Sequence, residues 1–124
     1  MLEPMAEPYL SAQAPHLWLV ACRADRVLGF AYAEPERMTD GTFNLLAIAV
    51  APDMQRHGVG AALVTALIDR LRNSGGRVLL VETSSLDEYA GTRRFYADLQ
   101  FGEEARIRDF YAEGEDKVVF WTRV

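Results

Sequence analysis

The chain is 124 residues long, half hydrophobic and one quarter charged, which is ordinary for a single globular domain. Its formal net charge of −5 argues against nonspecific nucleic-acid binding. The longest apolar run, Leu45 to Ala51, is too short to span a membrane, and the opening residues (Glu3, Pro4, Glu7, Pro8) lack the pattern of a secretory leader. The lone Cys22 can form no internal disulfide, so a reducing, cytoplasmic setting with a buried thiol is expected.

Residues 1–15 are rich in Pro and Ala with weak periodicity, and read as a loosely structured arm of one 1–124 domain. Leu17 to Arg23 reads as a strand, Ala24-Asp25-Arg26 as a turn, and Val27 to Ala33 as the returning strand. Phe43 to Ala51 is nearly all apolar, as a central strand buried on both faces requires, and Pro52 ends it. A helix is expected from His57 to Asn73, where Val59, Leu63, Ala66 and Leu67 keep helical spacing, with Gly75-Gly76 as the stop. Val78–Thr83 follows as a strand, Tyr89–Leu99 as a second helix, and Phe101–Tyr111 and Lys117–Arg123 as two closing strands. The order β-β-β-α-β-α-β-β predicts an α/β (α+β) chain: a mixed sheet with helices packed on it.

Between the third strand and the first helix stands Gln55-Arg56-His57-Gly58-Val59-Gly60-Ala61-Ala62. A loop that opens a helix presents unpaired N–H groups at the positive end of the helix dipole, and glycines admit a bulky anion close to the backbone. Arg56 and His57 add positive charge, so the segment reads as a phosphate or pyrophosphate site. It is not a Walker loop, because Gly-Ala-Ala replaces Gly-Lys-Ser/Thr. A dinucleotide fingerprint fits poorly too. Leu63 stands in for the third glycine and six residues separate strand from glycines, although Glu82 ends the next strand where a ribose-binding acid would sit.

The run Ile48-Ala49-Val50-Ala51-Pro52-Asp53-Met54-Gln55-Arg56-His57-Gly58-Val59-Gly60-Ala61-Ala62-Leu63 resembles the strand, loop and helix of the GNAT superfamily of N-acetyltransferases, with its Gln/Arg-x-x-Gly-x-Gly/Ala core. Phe95-Tyr96-Ala97-Asp98-Leu99-Gln100-Phe101 resembles a second family segment, Phe-Tyr-x-x-x-Gly-Phe. The resemblance covers residues 17 to 124. It departs at Tyr89, Thr92 and Gln100, where Asn, Ala and Gly are usual. Members normally open with a strand and one or two helices. The short stretch before Leu17 therefore implies a minimal member, or elements supplied by a partner.

The resemblance implies acetyl-CoA as cosubstrate, inserted where strands Phe43–Ala51 and Val78–Thr83 part. It implies that the backbone of Ile48, Ala49 and Val50 meets the pantetheine arm, with an N–H near Ile48 for the oxyanion. The N–H groups of Arg56, His57, Gly58, Val59, Gly60 and Ala61 would hold the pyrophosphate, and Gln55 joins the candidate cofactor contacts. Tyr96 occupies the family's general-acid position, and packing beside Phe95 is its plain alternative. Glu82 is the candidate base, directly or through water, against an ordinary strand-end carboxylate. Tyr89, Thr92, Arg93 and Tyr96 share one helical face, so Tyr89 and Arg93 join the candidate CoA contacts, and Arg94 is a further cation within reach. Glu34 and Asp109 are lesser candidates for substrate contacts. Ser84 and Ser85 are expected in capping or loop roles, and His16, His57 and Cys22 do not make a metal site.

The function so implied is transfer of an acetyl group from acetyl-CoA to a primary amine, borne by a small molecule or a peptide, by direct attack in a ternary complex. A non-catalytic CoA- or acyl-CoA-binding regulatory module is the alternative, since both need the same glycines. With no strand before it, Leu17–Arg23 is expected to lie at a sheet edge and to pair in a homodimer.

Overall fold

In the computed structural model, which describes residues 2–4 and 16–124, one sheet of seven strands carries two helices. The strands are β1 (Leu2–Pro4), β2 (Leu17–Arg23), β3 (Arg26–Pro35), β4 (Thr42–Val50), β5 (Val78–Ser84), β6 (Gly102–Ala112) and β7 (Glu115–Arg123). The helices are α1 (Val59–Asn73) and α2 (Ala90–Asp98). Strand order across the sheet is β1-β2-β3-β4-β5-β7-β6, and β4–β5 is its parallel pair, joined through α1.

The expected order is met with one addition. Leu2–Pro4 is a strand, antiparallel to β2 with Leu2 opposite Ala21. So these three residues pair along the outer side of β2 from Leu19 to Ala21, which removes the ground for pairing a second copy along those residues. The rest of the expected loose arm, residues 1 and 5–15, lies outside the described residues.

Helix α1 begins at Val59, two residues later than expected. His57 N–H turns back to the Met54 carbonyl, and Gly58 is left-handed at φ +82°, a conformation that cannot continue into a helix. Its buried stripe of Leu63, Val64, Leu67 and Leu71 lies on the sheet over Ala31 and Ala33, whose small side chains let the helix come close. Gly29 sharpens that approach: a Cβ there would stand 2.6 Å from the Ala49 carbonyl oxygen and 3.3 Å from Leu63 Cδ1.

The stop signal Gly75-Gly76 acts as expected. Gly75 takes φ +92°, and the Gly76 N–H bonds the Leu71 carbonyl at 2.7 Å. On the same side of the sheet Tyr96 of α2, Phe101, Val118 and Phe120 complete one continuous core. Cys22 is half-buried rather than buried. No helix among the described residues is long and apolar enough to cross a membrane.

Candidate active site

The parallel ladder between β4 and β5 is short. It runs from Thr42 opposite Val78 to Leu45 opposite Val81, and then stops. The cause is visible in the register with β3. Tyr32 faces Ala47 and Ala33 faces Leu45, so Leu46 is an extra residue with no partner. A bulge bends its strand and increases local twist. Beyond it β4 turns away from β5 while both strands stay paired on their other sides. From Leu46 to Val50, β4 therefore has no strand beside it on that flank, and Ile48, Ala49 and Val50 line the cleft so formed.

The loop after β4 closes one end of the cleft. A short 3-10 turn, Pro52–Met54, is held by a two-pronged ion pair between Asp53 and Arg26. The Arg26 guanidinium, by hydrogen bonding and charge, holds the Asp53 carboxyl below the usual carboxylate range. Arg56 then takes φ +68° and Gly58 φ +82°. The first bond into α1 runs from Ala62 N–H to the Gly58 carbonyl, and no side chain caps the helix. Among the described residues the N–H groups of Arg56, Gly58, Val59, Gly60 and Ala61 consequently donate to nothing.

A cavity of about 900 Å³ joins the open flank of β4 to this helix start, with Gln55, Arg56, Gly58, Gly60 and Ala61 on its wall. Gly60 sits tightly against the second helix: a Cβ there would stand 3.3 Å from Phe95 Cζ, so that ring would have to give by a few tenths of an ångström. Gly58 has nothing within 4 Å and is required by conformation alone. Free N–H groups, a helix N-terminus, Arg56 and close backbone access together fit the pyrophosphate of a nucleotide. Gln55 also serves the loop itself, donating from Nε2 to the Val50 carbonyl at 3.3 Å. His57 and Val59 stand off the cavity wall, His57 exposed to solvent.

The second helix presents a different face from the one expected. Glu88, Gly91, Thr92 and Phe95 line the cavity, at i, i+3, i+4 and i+7; the expected set was Tyr89, Thr92, Arg93 and Tyr96. The face is one residue out because Tyr96, 2% exposed, is drawn into the core between the rings of Phe95, Phe101 and Phe120. With Tyr96 turned inward, Arg93 rotates toward β5. Its Nη1 donates to the Ser84 carbonyl at 2.6 Å and the Leu86 carbonyl at 2.9 Å, so the guanidinium braces the β5–α2 connection away from the cavity. Tyr89 ends a 3-10 turn (Asp87–Tyr89) and lines a second, smaller cavity. Met54, Glu88, Gly91 and Phe95 were missed as lining residues. For Glu88, Gly91 and Phe95 the helical period was the available signal, and it needed the core position of Tyr96 to set its phase; Met54, in the turn after β4, carried no such signal.

The Tyr96 hydroxyl has no hydrogen-bond partner among the described residues, and burial pushes its pKa up to about 12. It is therefore protonated throughout the neutral range.

Glu82 is the first residue of β5 beyond the last β4–β5 pair, and it is not an isolated carboxylate. Lys117 Nζ lies 3.2 Å from Oε1, and Asn44 Nδ2 donates to Oε2 at 3.2 Å and to Glu36 Oε2 at 2.9 Å. Glu34 accepts from the Tyr32 hydroxyl and lies 3.5 Å from His16 Nδ1, while Asp109 accepts the Gly114 N–H and so shapes a turn. Ser84 and Ser85 play the loop roles expected: Ser84 Oγ accepts the Leu86 N–H, and Ser85 Oγ the Asp116 N–H. Among the described residues no group of three or more His, Cys, Asp or Glu is placed to hold a metal.

A family model described as "Acetyltransferase (GNAT) family" matches residues 2–101. The chain belongs to the GNAT family of acetyltransferases. Mycothiol acetyltransferase of Corynebacterium jeikeium is 34% identical over 84 residues, 68% of this chain and 21% of that protein. The [ribosomal protein bS18]-alanine N-acetyltransferase of Escherichia coli is 39% identical over 67 residues, 54% of this chain and 44% of the relative. This GNAT chain thus spans less than half the length of these two relatives. A crystal structure of a GNAT-family protein from Desulfovibrio desulfuricans superposes with a TM-score of 0.89 at 37% identity, covering 94% of this chain and 74% of the other.

Proposed function

We propose that this GNAT chain transfers an acetyl group from acetyl-CoA to a primary amine, by direct attack of the amine on the thioester within a ternary complex. The observation that carries the reading is the parting of β4 from β5 beyond Leu45 and Val81, beside a helix start whose N–H groups are free. An open strand flank suits an extended pantetheine-like arm, and the helix start suits a pyrophosphate. In this reading the Arg56 side chain and the N–H groups of Arg56, Gly58, Val59, Gly60 and Ala61 hold the phosphates. The backbone of Ile48, Ala49 and Val50 lies along the arm, with a backbone N–H near Ile48 meeting the oxyanion.

The acceptor amine is mostly protonated near neutral pH, and a simple thiol such as the leaving group titrates near pH ~8.5. The reaction therefore gains from one group that takes a proton and one that gives it. Glu82, at the mouth of the gap, takes the amine proton directly or through water, and Tyr96 gives its proton to the thiolate. The test is thiol release from acetyl-CoA over a panel of small amines, amino acids and peptides with free N-termini, beside calorimetry with CoA. Acceptor-dependent release is expected. Tight CoA binding with no release from any acceptor would instead favour a regulatory CoA-binding module.

A further inference from the structure

The second cavity, of about 300 Å³, has a composition the acetyl-transfer reading does not use. Its floor is Glu82, Thr83 and Ser84 of β5, its walls are the rings of Tyr89 and Tyr111, and Glu115 completes it. Glu82 is the first residue of β5 beyond the β4–β5 ladder, and in the 3-10 turn the neighbours Glu88 and Tyr89 line the larger and the smaller cavity respectively.

Tyr111 arrives there through an irregularity in β6. Pairing with β7 breaks between Ile107 and Ala112, and Asp109 sits at φ +56° with its N–H on Asp116 Oδ1. This bulge brings Phe110 over Lys117 Nζ, 4.0 Å from the ring centroid, and sets Tyr111 against the two carboxylates. The Tyr111 hydroxyl is held above its ordinary pKa by burial first, then by the charges of Glu82 and Glu115.

Two carboxylates line the cavity and no cation does. Lys117 pairs with Glu82 and Arg93 is turned to the Ser84 and Leu86 carbonyls, whereas Glu115 accepts only the neutral Ser84 hydroxyl at 2.7 Å and forms no ion pair among the described residues. Glu115 thus lacks a cation of its own beside two tyrosines, and tyrosine rings attract cations. The Lys117 ammonium shows the same chemistry within the chain, seated between a carboxylate and an aromatic face.

We propose that this cavity binds a second cationic group of the acceptor, so that the acceptor class is a diamine or another amine with a positive charge a short chain away. The inference rests on the acetyl-transfer reading for its orientation. The amine to be acetylated points to the gap beside Glu82, and the distal ammonium lies between Glu115, Tyr89 and Tyr111. An acceptor with a carboxylate at the distal position meets repulsion from Glu115.

Calorimetric titration with 1,4-diaminobutane, 1-aminobutane and 4-aminobutanoate tests it, with the protein alone and with the protein saturated with CoA. A partly exposed ion pair plus a cation–π contact predicts that the diamine binds about tenfold more tightly than the monoamine, and the amino acid more weakly than either. Glu115→Gln keeps an acceptor for Ser84 and is expected to remove most of the diamine advantage; Tyr111→Leu is expected to reduce it. Melting curves check that both variants fold. Equal affinities for diamine and monoamine, an advantage untouched by Glu115→Gln, or no binding by any of the three would overturn the proposal. Failure of CoA to bind would instead overturn the acetyl-transfer reading, and the titrations of the protein alone separate the two.

Discussion

Tyr96 is the residue on which packing and chemistry compete. Its ring is held by three other aromatic rings, while its hydroxyl has no partner among the described residues. Tyr96→Phe therefore keeps the packing, and its melting temperature is expected to match or slightly exceed that of the parent. If the hydroxyl protonates the leaving thiolate, kcat falls by about ten- to a thousandfold with little change in CoA affinity. Steady-state kinetics on any acceptor found decides it, and a variant with parental kcat removes Tyr96 from the chemistry. Because its pKa is about 12, the loss of its proton should not shape the rate profile below the alkaline range.

The two loop glycines separate at the same scale. Gly60→Asp sets a carboxylate at the free N–H groups and crowds Phe95, so CoA binding by calorimetry is expected to vanish. Gly58→Ala meets no neighbour, yet holds a left-handed conformation that costs an L-residue about 1–2 kcal/mol. Its melting temperature should fall with CoA affinity only modestly reduced.

At the scale of elements, the glycine loop depends on the turn before it. Asp53 ties that turn to Arg26 at the start of β3, and Asp116 ties the β6–β7 turn to Arg106. Both carboxyls lie below their ordinary value of 3.8 in the folded state, Asp53 chiefly through the Arg26 hydrogen bond and Asp116 chiefly through the Asp109 N–H. A depressed folded pKa stabilises fully above the unfolded value. That contribution is lost as pH falls through the lower folded value, so the window lies below about pH 4. Asp53→Asn should melt slightly earlier than the parent at neutral pH and converge with it in acid. It should also bind CoA a few-fold more weakly, because the loop loses its anchor. A variant with unchanged CoA affinity would show that the loop holds its shape without the ion pair.

The face of α2 belongs to the same scale. Its 3.6-residue period was legible, and Thr92 falls on the cavity wall as expected. Its phase was not, because periodicity says which residues share a face and not which face turns inward. The burial of Tyr96 set the phase, and that depends on Phe101 and Phe120 arriving from other elements.

For the whole molecule, what matters is where the sheet leaves edges. The β2 edge, from which a homodimer was expected, is covered by β1 at Leu19 to Ala21. The other edge is β6, exposed along its whole length from Gly102 to Ala112. It carries Glu103, Glu104, Arg106 and Arg108 and is broken by the bulge after Ile107, two devices that discourage strand pairing. Light scattering at micromolar concentration is accordingly expected to give a mass near 13.9 kDa. Twice that mass would restore the homodimer and point to one of these edges.

What the sequence determined by itself is whatever depends on neighbours along the chain. The strand and helix order, the Gly75-Gly76 stop and the glycine loop at a helix start are local, set by periodicity, by backbone freedom and by the unpaired N–H groups that every helix start exposes. The family resemblance rests on the same local runs. Tertiary structure decided what depends on register and rotation. The opening between β4 and β5 follows from Leu46 having no partner on β3, and no local property of Leu46 marks it as the extra residue. Glu82, Asn44, Glu36 and Lys117 come from four separate segments, and the sheet order brings them to one cluster. Strand pairing is a contact between distant segments, with each register weighed against the packing of both faces, so it is settled only when the whole sheet is assembled.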